Sequence, residues 1–244
     1  MNNLHHSTEK STGPETTGAT IHWFPQYDFW ASLIGLGMNG SNSCMVIEMA
    51  EIKPGDMVLD VGCGTGDLTL AAQKTVGPTG SAYGIDPSPE GVGLARKKAA
   101  LHGFEAKFEV GLIEKLNFPE ATFDVAISRL VIHHLPDDLK RRGFGEIYRV
   151  LKPGGRLFMV DFKPPSNAVL RHLASALVGH RMMMASKVWV IPDVLTEAGF
   201  VEVASGPTRS ALMAFVSGKK PTAEKSIEND NKEKVGLGGQ KVLI

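Results

Sequence analysis

Val58-Leu59-Asp60-Val61-Gly62-Cys63-Gly64-Thr65-Gly66 is a strand-like apolar run that ends in three glycines spaced two apart. Branched residues at 58, 59 and 61 suit a parallel strand buried on both faces. Gly62 and Gly64 let the chain turn sharply and approach a ligand with no Cβ in the way. The segment predicts a strand, a nucleotide-binding turn and a helix starting near Gly66-Asp67. A dinucleotide fingerprint reads G-x-G-x-x-G, with the pyrophosphate on the helix N-terminus. Here the last glycine comes one position early, which favours a loop wrapped around an adenosyl-amino acid.

Gly84-Ile85-Asp86 ends the next expected strand, about twenty residues after the turn, where an acid binds ribose hydroxyls. An ionised carboxylate only accepts, so it can serve two hydroxyl donors at once. Asp86 has a second reading as the N-cap of the helix after Pro87. Three further stretches complete the pattern: Leu116-Asn117-Phe118-Pro119-Glu120-Ala121-Thr122-Phe123-Asp124, Val131-Ile132-His133-His134-Leu135 and Leu151-Lys152-Pro153-Gly154-Gly155-Arg156-Leu157. With Asp60, the glycine loop and Asp86, they make the chain resemble the class I S-adenosylmethionine-dependent methyltransferases over residues 55 to 161. Gly64-Thr65-Gly66-Asp67 and Tyr27-Asp28 resemble the ubiquinone/menaquinone group within that family.

Strand and helix patterns alternate, which predicts an α/β domain whose mostly parallel sheet is covered on both faces. Strands are expected at 57–61, 82–86, 106–110, 123–128 and 155–161, and helices at 42–52, 67–76, 88–102, 137–151 and 192–198. Two more strands at 201–206 and 211–217, turning at Gly206-Pro207, complete a Rossmann-like, doubly wound seven-stranded sheet. The resemblance implies that the final strand is antiparallel and inserts between its neighbours. The domain is expected to span 21–217, with a helical lid insert near 163–191, a disordered tail at 1–20 and a flexible tail at 218–244.

Lysines plus arginines number 26, as do aspartates plus glutamates, so the formal charge is zero. That balance argues against nucleic acid as the substrate. No run approaches the twenty or so apolar residues of a membrane span, and the polar first twenty residues lack the apolar core of a secretory signal. The two cysteines, Cys44 and Cys63, form neither a disulfide framework nor a zinc spacing. No metal is called for, and a reducing cytoplasm is the simplest location.

The resemblance implies S-adenosylmethionine as cofactor and distributes the site. Backbone at Gly62, Cys63 and Gly64 lines the methionine portion, with Gly66 opening the helix, and Asp60 orients the loop or receives the ammonium group through water. Asp86 takes the ribose, and Pro87 packs against adenine. The family often carries an acid directly after the glycine of the third strand's turn; here Gly111 is followed by Leu112. Leu112 and Ile113 would then sandwich adenine, the Ile113 amide would meet a ring nitrogen and Glu114 would stand in for the acid. The Ser128 carbonyl faces the cofactor's amino group. Arg129 is open between a substrate anion and a surface role.

His133 and His134 are the catalytic candidates, because imidazole titrates near neutrality and both follow a strand end at the crevice. His133 is read as the base and His134 as a helix-start or core residue. Methyl transfer also proceeds without a base, since alignment in a water-poor pocket supplies much of the rate. Cys63 reads as a small loop residue, as nothing in the sequence beside it activates a thiol. The aromatic segment 22–30 and the insert shape the acceptor site, with Tyr27 against the sulfonium. Lys163 to Lys187 has no acid and carries Arg171, His172, His180, Arg181 and Met182-Met183-Met184. It reads as an adaptable lid over an apolar ligand, or as a peripheral contact to anionic lipid. The expected activity is methylation of an apolar or amphipathic small molecule, at oxygen or carbon ahead of nitrogen or sulfur. A nicotinamide oxidoreductase, a nucleic-acid methyltransferase and a non-catalytic binding or partner-docking member are the rival readings.

Overall fold

A computed structural model describes residues 41–163, 188–209 and 213–222, together with Pro14, Thr16, Asn167 and His172. Seven strands form one sheet: β1 (Met57–Val61), β2 (Ser81–Asp86), β3 (Lys107–Val110), β4 (Phe123–Arg129), β5 (Leu151–Phe162), β6 (Val201–Pro207) and β7 (Met213–Lys219). Their order is β3-β2-β1-β4-β5-β7-β6. The first five are parallel, and β7 runs antiparallel between β5 and β6. The seven-stranded sheet with an inserted antiparallel final strand is therefore as the sequence implies.

Alternation along the strands sends side chains to two cores. Leu59, Val61, Ile85 and Ala126 meet α4 (Asp137–Val150) and α5 (Ile191–Glu197) on one face. Val58, Ala82, Val125 and Ile127 meet α1 (Ser41–Met49) and α2 (Asp67–Val76) on the other. Helix α3 (Pro89–His102) packs on the β2–β3 edge, with its Val92, Ala95 and Ala99 clustered against Phe108 of β3. Both faces are covered, so the buried strands need no polar side and read as continuous apolar runs.

Most boundaries fall within one residue of expectation, and four places differ for local reasons. Helix α1 ends at Met49, three residues early, because Glu51 turns to φ 53° just before Pro54. Strand β5 starts at Leu151, paired with Phe123 ahead of an irregularity in the register. Gly206 and Pro207 are not the hairpin turn; they pair with Phe215 and Ala214, and the reversal lies between Thr208 and Met213, whose carbonyl accepts the Thr208 amide at 3.2 Å. Strand β7 runs past residue 217, where Gly218 pairs with Leu157. No helix among the described residues is long and apolar enough to cross a membrane.

Candidate active site

The glycine loop leaves β1 and is tied down almost completely by β2. The Gly62 and Cys63 amides both donate to the Ile85 carbonyl, at 2.8 and 2.9 Å, and the Gly66 amide to the Cys63 carbonyl. The Gly64 amide donates to Asp86 Oδ2 at 2.9 Å. Gly62 has φ +76°, and a Cβ there would lie 2.2 Å from Val131 Cγ2. Gly66, at φ +85°, would meet Ala95 and Phe108 within 2.9 Å. Only glycine satisfies both the left-handed backbone and the contact at these two positions.

Protein acceptors hold the amides of Gly62, Cys63 and Gly64, so this backbone would line a ligand without spending those amides on it. The loop serves as a rigid backing.

Asp86 is buried, with Oδ2 on Gly64 and Oδ1 accepting the Ser88 amide at 2.9 Å. Burial raises its pKa against these two amide bonds. It does not cap α3: that position belongs to Ser88, whose hydroxyl accepts the Gly91 amide at 3.3 Å. Pro87, between them, is half-buried.

Asp60 is 1% exposed, and its Oδ2 accepts the Thr69 hydroxyl at 2.6 Å. Its Oδ1 is buried without a partner. Burial pushes the carboxyl up to about 7, with the Thr69 bond opposing. Burial, reinforced by Asp60 and Asp86, also raises the Cys63 thiol well above its usual range, so it is not a ready nucleophile.

Strand β4 ends at Arg129, and the chain turns through Leu130, a non-glycine residue at φ 60° held by its amide on the Val160 carbonyl. Such backbone costs energy and is kept where the surroundings over-determine it. Ser128 points its hydroxyl at the Val61 carbonyl, 2.8 Å away, locking β4 to the loop strand. Arg129 is half-buried and donates to the Ser43 hydroxyl at 3.0 Å, tying it to α1. Val131 then lies on Gly62, so the 3-10 turn Ile132–His134 follows directly from the glycine loop's wall.

The two histidines differ in their setting. The His133 side chain is 1% exposed, its Nδ1 is 2.8 Å from Asp161 Oδ1 and its amide donates to Asp161 Oδ2 at 3.0 Å. His134 is half-buried, and burial together with His133 beside it lowers its pKa to about 4. The more enclosed residue is therefore His133, so of the two readings of His134, helix-start or core, the structure does not support the core one. The ring centroids are 3.9 Å apart, and each Nε2 is buried without a partner.

On the adenine side, the Ile113 side chain does not sandwich adenine: it is 7% exposed and packs into the core against Gly143 of α4, which leaves the reading of its amide untouched. The β3–β4 loop is held there by Glu146, which accepts the Leu116 amide, and by Arg149, which donates to the Leu116 and Phe118 carbonyls. Leu112 lines a cleft of about 350 Å³ with Ile85, Gly111, Leu116 and Phe118. Glu114 Oε1 accepts the Thr16 hydroxyl at 2.9 Å, so that oxygen is engaged within the chain. Tyr27, the rest of 22–30 and nearly all of the insert lie outside the described residues.

The four loop amides spent inside the protein, with Asp60 and Asp86 behind them, decide the ligand class. A pyrophosphate would find no amide free among these four and two carboxylates opposing it. A ligand with an ammonium group and ribose hydroxyls meets the reverse: the unpartnered Asp60 oxygen suits a cation, and Asp86 keeps lone pairs for donors. Residues 52–203 match the family model described as "Methyltransferase domain".

The chain belongs to this methyltransferase family. S-adenosylmethionine is the cofactor whose groups the site fits. The chain is 32% identical over 149 residues to a demethylmenaquinone methyltransferase of Lactobacillus johnsonii, covering 60% of each chain. It is 35% identical to an arsenite methyltransferase of Halobacterium salinarum over 71% of this chain and 43% of that one. The matched stretch thus spans less than two thirds of either relative's length. A phosphoethanolamine N-methyltransferase of Haemonchus contortus, solved with S-adenosylhomocysteine, shares the fold at TM-score 0.64 and 17% identity, over 80% of this chain and 57% of that one.

Asp161 and Thr69 were not singled out from the sequence. Thr69 lies nine residues from Asp60 and is brought to it by the first turn of α2. Asp161 lies 28 residues from His133, and the signal that finds it is the parallel register of β4 and β5, in which Arg129 pairs with Val160.

Proposed function

We propose that the chain transfers the methyl group of S-adenosylmethionine to an apolar or amphipathic small molecule, at oxygen or carbon. One observation carries the acceptor part of this reading: two adjacent imidazoles with buried, unpartnered Nε2 atoms stand just past the end of β4, the first of them two residues beyond the Val131 contact to the glycine loop. With its pKa near 4, His134 is neutral at pH 7 and places no second cation beside a sulfonium. His133 is the group that accepts a proton from the acceptor. The quinone-directed names of relatives such as the Lactobacillus protein agree with an apolar acceptor.

The cofactor supplies an activated methyl group, and the residues assigned here hold and align it. Asp60 takes the ammonium group, directly or through water, and Asp86 takes the ribose. Pro87 and Leu112 flank the adenine, the loop from Gly62 to Gly64 backs the methionine chain, and Ser128 keeps the two strand ends in register.

Incubation with methyl-labelled S-adenosylmethionine and a panel of phenols, quinols, amphipathic lipids, amines and thiols tests this reading. Label is expected in an apolar hydroxylated or ring-carbon acceptor. Label only in amines or thiols would overturn the assignment to oxygen or carbon. Leu112 in place of the family's acid favours a second reading, a non-catalytic member, for which cofactor binding without label in any acceptor would speak.

A further inference from the structure

We propose that Asp161 is a positioning residue: it holds the proton of His133 on Nδ1 and so presents Nε2 as the proton acceptor for a methyl acceptor bearing a hydroxyl group. This rests on the methyltransferase reading above and adds the chemical class of the acceptor.

Asp161 is 2% exposed and collects three donors. Oδ1 accepts from the Phe162 amide at 2.7 Å and lies 2.8 Å from His133 Nδ1, while Oδ2 accepts from the His133 amide at 3.0 Å. The two amides can only donate, and a carboxylate can only accept. The His133 Nδ1 must then donate, and a neutral imidazole with its proton there has a lone pair on Nε2. That atom is buried and has no partner. The Phe162 and His134 rings pack against the His133 ring, with centroids 5.1 and 3.9 Å from its own, and neither hydrogen-bonds to Nε2.

A buried acceptor without a donor is costly, and where it persists it marks a place for a ligand's donor. A hydroxyl supplies that donor without bringing charge, whereas an amine protonated at neutral pH would set a second cation against the sulfonium and has no free electron pair to attack with. As the acceptor reacts, its O–H bond breaks and the proton passes to Nε2. The electron pair released on the acceptor forms the new bond to the methyl carbon, at oxygen or at a conjugated ring carbon. The methyl–sulfur bond breaks with its pair left on sulfur. Asp161 stabilises the imidazolium and keeps its own proton-free state, the division of labour seen in the serine-protease triad.

The test uses the full chain, 15N-labelled on histidine, with S-adenosylhomocysteine bound and the His133 signals assigned by their loss in His133→Gln. Wild type is expected to carry the ring proton on Nδ1. In Asp161→Asn the carboxamide donates to Nδ1 and moves the proton to Nε2, with S-adenosylhomocysteine affinity within about twofold of wild type. Phenol added to wild type should shift the Nε2 resonance, and anisole, which lacks the hydroxyl, should not. A wild-type proton on Nε2, an unchanged tautomer in folded Asp161→Asn, or equal or absent responses to phenol and anisole would each overturn the proposal. Should Asp161→Asn fail to fold, the wild-type tautomer and the phenol–anisole pair decide the matter alone. Failure of wild type to bind S-adenosylhomocysteine would instead overturn the methyltransferase reading beneath it.

Discussion

The two ends of the crevice differ in how their hydrogen bonds are spent. Around the glycine loop, the amides of Gly62, Cys63, Gly64 and Gly66 and both oxygens of Asp86 are engaged, leaving a single orphan, Asp60 Oδ1. At the β4–β5 end, both imidazole Nε2 atoms are orphans. The first region is built before any ligand arrives and selects by charge and shape. The second holds unspent hydrogen-bonding capacity that an acceptor must satisfy. A cofactor common to a family suits the first arrangement, and a variable substrate suits the second.

The sharpest way to break this contrast is Gly62→Ala, which combines a left-handed backbone with a methyl group 2.2 Å from Val131. Strain and overpacking together should cost about 2–6 kcal/mol of stability, read by denaturant unfolding. Val131→Ala in the same chain should recover the steric part and leave the backbone part. Full stability in Gly62→Ala alone would mean that the loop is not a rigid backing.

Ile113→Ala should destabilise by about 2–5 kcal/mol as a core truncation, whereas Leu112→Ala, on the cleft, should stay within about 1 kcal/mol and act instead on cofactor affinity. The same unfolding experiment compares them. A reversal would return Ile113 to the adenine site.

Asp86→Ala should weaken S-adenosylhomocysteine binding by about ten- to a hundredfold through lost charge-assisted bonds. Unchanged affinity by calorimetry would remove Asp86 from the ribose.

A further effect is one of pH. The Asp60 carboxyl is raised from 3.8 to about 7, so the folded chain holds a proton that the unfolded chain has lost between those values. Its contribution to stability therefore falls as pH rises from about 4 to 7. A cofactor ammonium group favours the ionised form, so binding below pH 7 should release a proton and weaken as pH falls through about 7. Calorimetry in buffers of different ionisation enthalpy measures that proton. Asp60→Asn should abolish its release, and an unaltered release would place the proton elsewhere.

The sequence makes the first region largely legible because its information is local. Strand β1 and helix α2 lie where the run 58–76 places them, and the glycine spacing carries the turn. What the spacing does not reveal is that the loop amides turn inward, since that depends on β2 lying beside β1. The second region is legible only in part. The His-His pair is visible, but its order of burial follows from Asp161, which reaches His133 from the neighbouring strand β5. Ile113 misleads for a related reason: the pull of Glu146 and Arg149 on the loop from α4 buries it, while Leu112 next to it faces the cleft. The shift of the hairpin turn past Gly206-Pro207 follows from β6 pairing with β7 without a break from Ala204 to Pro207, which faces Ala214.

Calorimetric titration of the purified chain with S-adenosylhomocysteine, against NAD as control, tests the central claim most directly. Micromolar binding of S-adenosylhomocysteine alone is the predicted result, because the loop spends its amides on itself and offers carboxylates to the ligand. Binding of NAD, or of neither, would contradict it.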